Sequence, residues 1–116
     1  MMYQFSYADI LADDADDARA REHQLLDKAV ALLTHAAGSA SRSPEVTRAL
    51  DFTTELWVLL IQDLAHPGNA LPDQLRADLM SIGLGVLGEC SRIMSGQSRD
   101  IAAVADICGI VRDGLN

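Results

Sequence analysis

Leu56-Trp57-Val58-Leu59-Leu60-Ile61 is an unbroken apolar run in the middle of the chain. It is followed by Gln62-Asp63-Leu64-Ala65-His66, then by the break Pro67-Gly68-Asn69-Ala70-Leu71-Pro72. A second helical pattern, Asp73 to Gly83, resumes after the break. Six apolar residues in a row cover most of a helix's circumference, so this segment must be surrounded or must offer a face to a partner. The chain from Leu50 to Gly83 is therefore where fold and function are expected to meet.

Working outward, the flanking segments repeat the helical period. Upstream, Ser43 is placed to cap a helix with Pro44 at its first position. Val46, Leu50, Trp57, Leu60 and Leu64 trace one stripe of that helix, and Phe52, Leu56 and Leu59 a second. Before it, Leu26, Val30 and Leu33 adjoin Leu25, Ala29, Leu32 and Ala36, predicting a helix over 16–37 that Gly38 stops. After the break, Leu75, Leu79, Ile82, Val86 and Ile93, with Cys90, predict a helix over 72–95. Ile101, Val104, Cys108, Val111 and Leu115 predict the last, over 98–114. Short connections make sequential helices neighbours. The expected fold is all-α, a single helical domain folded as an up-down antiparallel four-helix bundle.

The first twelve residues read differently. Tyr3, Phe5 and Tyr7 alternate and are three of the five aromatic residues in the chain. They predict an N-terminal aromatic arm over 1–12, or a short helix from Tyr7 capped by Ser6. Its rings either pack on their own domain or anchor another chain. Asp9, Asp13, Asp14, Asp16 and Asp17 then suit the start of a helix, where the macrodipole favours negative charge.

Composition narrows the function. The 116 residues are 49% hydrophobic but only 4% aromatic, and 17 acids against 9 cations leave a net charge of −8. Lys28 is the only lysine. No basic cluster exists to neutralise several phosphates, which disfavours direct nucleic-acid binding and an anionic membrane surface. No apolar run reaches the roughly 18–20 residues of a membrane span, and no signal-peptide pattern is visible. A soluble cytoplasmic protein is expected. Cys90 and Cys108 read as buried reduced thiols.

Catalytic chemistry has no foothold. His23, His35 and His66 are scattered, with no metal-ligand spacing and no nucleophile–base grouping. Gly83-Leu84-Gly85-Val86-Leu87-Gly88 matches the dinucleotide fingerprint in letters, but lies inside a helical seam instead of between a strand and a helix. Glycines there suit close approach of another helix. The expectation is a non-enzyme without metal or cofactor. It would bind a partner helix through an apolar groove between the second and third helices. Candidate contacts are Tyr3, Phe5, Tyr7, Leu56, Trp57, Leu60, Ile61, Leu64, Leu71, Leu75 and Ile82, with Trp57 the leading anchor if it is exposed. The apolar excess also allows a homodimer.

One resemblance runs through these residues. Met2-Tyr3-Gln4-Phe5-Ser6-Tyr7, Leu56-Trp57, Asp63-Leu64, Pro67, Asn69, Leu71-Pro72, Leu75-Arg76-Ala77 and Ser81-Ile82-Gly83 resemble, as an ordered string, the FlaF family of flagellar proteins. That resemblance implies a regulator and chaperone of flagellum biogenesis that promotes flagellin synthesis and secretion. Two partners are implied: flagellin, whose termini are amphipathic helices, and FlbT, which restrains translation of flagellin mRNA. Either the protein holds flagellin directly, or it is an adaptor that binds FlbT and never contacts flagellin.

Overall fold

In the computed structural model the backbone is described for residues 7–40 and 43–114, and side chains for residues 17–40 and 43–114. Four helices occur in the order α1 (Tyr7–Ala37), α2 (Pro44–Ala65), α3 (Asp73–Met94) and α4 (Ile101–Gly114), with no strand among the described residues.

The helix ends follow local chemistry. Ser43 caps α2 by accepting a hydrogen bond from the Val46 N–H at 3.3 Å, and Pro44 occupies the first turn, where a missing N–H costs nothing. At the other end, Pro67 forces His66 into an extended conformation (φ −70°, ψ 134°) and stops the helix. Beyond α3, Gly96 takes φ 83° and the Gln97 N–H bonds back to the Arg92 carbonyl at 2.8 Å, closing the last turn.

Three boundaries differ from the sequence expectation. Helix α1 starts at Tyr7 instead of 16, so Tyr7 to Ala12 belong to one continuous helix. Its five clustered aspartates thus lie within the first turns of α1, not ahead of it. Pro72 caps α3 and is not its first residue. Helix α4 begins at Ile101, three residues late. Ser98 is turned toward Glu89 and accepts from the Asp100 N–H, while the Asp100 carboxylate accepts from the Ala103 N–H at 3.3 Å. Asp100 does the capping, which moves the start. The expected arm residues Tyr3 and Phe5, and Leu115 of the last seam, lie outside the described residues.

Helix α1 packs against both α2 and α4, α2 packs against α3, and α3 meets α4 only lightly. The contacts are those of a helical bundle. The core takes Leu26, Ala29, Leu33 and Ala36 from α1, eight residues of α2, Val86 and Cys90 from α3, and Ile101, Val104, Ala105, Cys108 and Val111 from α4. Thr53 is the buried polar member. Its hydroxyl donates to the Ala49 carbonyl at 2.7 Å, so the buried hydroxyl is satisfied. Helix α2 is central but not encircled, because Val58 and Leu59 stay 40% and 60% exposed. No described helix is long and apolar enough to cross a membrane.

Candidate functional site

The seam expected to be open is closed. A Cβ at Gly83 would lie 2.8 Å from Trp57 Cε3 and 3.0 Å from Ile61 Cγ1 and Cδ1, so the Trp57 ring rests on the backbone of α3. Its Nε1–H donates to Cys108 Sγ at 3.4 Å, and the residue is 1% exposed. Trp57 therefore bridges α2, α3 and α4 as a core residue and drops out as a surface anchor. Leu56, Leu60 and Leu64 are buried with it, while Ile61 and Leu71 are half-buried. Among the described candidate contacts, Leu75 and Ile82 remain on the surface, both on α3. Tyr7 begins α1, and its side chain lies outside the description.

Two cavities flank this closed seam. The first, about 140 Å³, sits at the end of the bundle, where Ala18, Arg19 and Glu22 of α1 face Trp57, Leu60, Asp63 and Leu64 of α2. Leu71, Leu79 and Val111 complete its wall. Burial pushes the Glu22 carboxyl above its ordinary value, helped by the nearby Asp63 carboxylate and a hydrogen bond with it, against the pull of Arg19 and Arg21. Asp63 also holds the break between α2 and α3. Asn69 Nδ2 donates to the Asp63 carbonyl at 3.1 Å and to its carboxylate at 3.2 Å, and Asn69 Oδ1 accepts from the Leu71 N–H at 3.0 Å. Arg76 donates to the Leu64 carbonyl and pairs with Asp73 at 2.6 Å. The string Asp63…Asn69…Leu71…Arg76 is thus a clasp that sets how α3 leaves α2.

The second cavity is an open groove. It measures about 500 Å³ and runs between α3 and α4, where packing is light. Ile82, Gly85 and Val86 form one wall and Ala103, Ile107 and Ile110 the other. Glu89, Arg92 and Asp100 stand at one end, with Glu89 held by Arg92 (2.7 Å) and by the Ser98 hydroxyl. Those contacts hold the Glu89 carboxyl below its ordinary value, Ser98 contributing most. Ile107 is 38% and Ile110 71% exposed. Nothing lies within 4 Å of a Cβ at Gly85, so the groove wall is hollow there. The sequence reading missed Ile107 and Ile110. Their signal was a second apolar stripe, three residues apart, off the Ile101–Val104–Cys108–Val111 seam.

Among the described residues, no three His, Cys, Asp or Glu side chains gather as metal ligands would. The family model of flagellar protein FlaF matches residues 3–115, nearly the whole chain. The chain belongs to the FlaF family. No curated protein and no solved structure matches it. The FlaF match covers all four helices, both cavities and the clasp. Within it, Trp57, Gly83, Asn69 and Arg76 have packing or turn-forming work to do, while Ile82 lines the open groove.

Proposed function

We propose that this flagellar protein promotes flagellin synthesis and secretion as a flagellin-binding chaperone, receiving a flagellin helix in the α3–α4 groove. The observation that carries the reading is the groove itself. Ile82, Ala103, Ile107 and Ile110 present an apolar channel along two lightly packed helices. An amphipathic helix fills such a channel with residues at i, i+3, i+4 and i+7. The helix would otherwise expose that stripe and aggregate or polymerise early.

The reading takes the bundle as up-down and antiparallel. Supporting it, the end of α2 meets the start of α3 at Leu64 and Arg76, and their middles meet at Trp57 and Gly83. Likewise Asp27 and Val30 of α1 lie by Arg112 and Gly109 of α4 in reversed order. The protein acts without metal, cofactor or catalysis, in the cytoplasm.

Calorimetric titration with purified flagellin tests the reading. The wild type is expected to bind at micromolar affinity or better, and Ile110→Asp to lose most of it while melting like wild type, because Ile110 is already solvent-exposed. Absence of binding by the folded wild type, with binding of purified FlbT instead, would move the assignment to the adaptor that relieves FlbT's restraint on flagellin mRNA.

A further inference from the structure

Resting on that groove as the partner site, we infer that it selects an amphipathic helix whose apolar stripe is flanked by lysine or arginine. The walls are apolar, so specificity must come from the rims, where charges meet a partner without full desolvation. These rims are acidic. Asp100 lines the groove itself. Asp78 and Asp106, both exposed, lie one helical turn before Ile82 and Ile110 on the same two helices, just outside the groove's lining. None of the three forms an ion pair among the described residues; Asp78 only accepts from Gln74, and Asp100 from the Ala103 N–H.

The one cation at the groove, Arg92, is committed to Glu89 through Nε at 3.0 Å and Nη2 at 2.7 Å. Arg112, the single cation of α4, is turned to Asp27 of α1 and to Asp113. Among its lining residues the groove thus holds one unpaired carboxylate, Asp100, and no free guanidinium; exposed Asp78 and Asp106 stand a turn away on the same two helices, and Arg99 lines a different cavity. A second copy of this chain, itself carrying a net charge of −8, would bring like charge against those rims. An acidic-flanked helix would do the same, whereas a basic-flanked helix pairs with Asp78, Asp100 and Asp106 while its stripe fills the channel at Gly85.

Two fluorescently labelled helical peptides test this against the full chain by anisotropy. They share one leucine stripe at i, i+3, i+4 and i+7, and carry flanking lysines in one and flanking glutamates in the other. The lysine peptide should bind about tenfold tighter at low salt, the gap closing as salt screens the rims. The triple variant Asp78→Asn, Asp100→Asn, Asp106→Asn should erase that preference, since asparagine retains the Asp100 cap and its fold. Gly85→Phe, which enters open space, should block both peptides. Equal binding of the two peptides, blocked by Gly85→Phe, overturns the charge selectivity and leaves the groove standing. Binding of neither peptide overturns the groove as a helix site altogether. A concentration-dependent dimer that Gly85→Phe dissociates would overturn the inference by making a second copy the occupant.

Discussion

Gly83→Ala is the substitution that weighs most on this architecture. The new methyl would sit 2.8 Å from Trp57 Cε3 and 3.0 Å from two carbons of Ile61. Ordinary carbon–carbon contact is about 3.5–4.0 Å, so the overlap approaches about 1 Å. Ile61 is half-buried and can rotate. Trp57 cannot, because it is 1% exposed and its Nε1–H is tied to Cys108 across the core. Overpacking of this kind costs about 1–3 kcal/mol. Against it stands the helix-propensity gain of about 1 kcal/mol for replacing a mid-helix glycine. Gly85→Ala, two residues on in the same helix, gains the same propensity and meets nothing within 4 Å.

The propensity gain cancels between the two variants, leaving the overpacking alone. Gly83→Ala should therefore be less stable than Gly85→Ala by about 1–3 kcal/mol. At about 4 °C per kcal/mol for a chain of this size, the melting temperatures should differ by about 4–12 °C. Thermal denaturation followed by far-ultraviolet circular dichroism measures it, with Gly85→Ala melting at or above wild type. If the two variants melt together, the Trp57 ring does not rest on α3 and the α2–α3 seam is not closed as described.

Other consequences are independent of that seam. Glu22 has its folded pKa raised from 4.5, so its protonated form is favoured in the fold; its contribution is full below that value and lost as pH rises through the raised one. Urea midpoints should therefore fall more steeply with pH for wild type than for Glu22→Gln, which keeps a donor for Asp63 without the titration. Asn69→Ala removes both bonds to Asp63 and the one to Leu71, and should cost about 1–2 kcal/mol in chemical denaturation while leaving helix content intact. Burial pushes the Cys90 thiol up to about 11 and raises Cys108 too, so neither should be alkylated at neutral pH until the chain unfolds; mass spectrometry across a denaturant series should show both thiols becoming reactive at the unfolding midpoint.

Much of this molecule was legible in its sequence. Period and punctuation placed four helices: Ser43-Pro44 opened α2, Pro67 closed it, and Gly96 closed α3. The α4 seam of Ile101, Val104, Cys108 and Val111 is buried as the heptad spacing predicts. The α3 seam was less faithful, since Val86 and Cys90 are buried but Leu75 and Ile82 are 43% and 37% exposed. Spacing reports that a face is apolar, and the same pattern serves a core or a binding surface equally well.

Which apolar face is open was a question for tertiary structure alone. Trp57 stood in the most apolar stretch of the chain and was the natural candidate anchor. One missing Cβ at Gly83 lets α3 lie directly on its ring, which closes the α2–α3 seam and hides Trp57. Helix α4, only 14 residues long, meets α3 lightly, so the exposed channel passes to Ile82, Ile107 and Ile110. Helical periodicity is a property of one segment. The distance between two segments depends on the side chains of both at their crossing, and no single-segment pattern contains it.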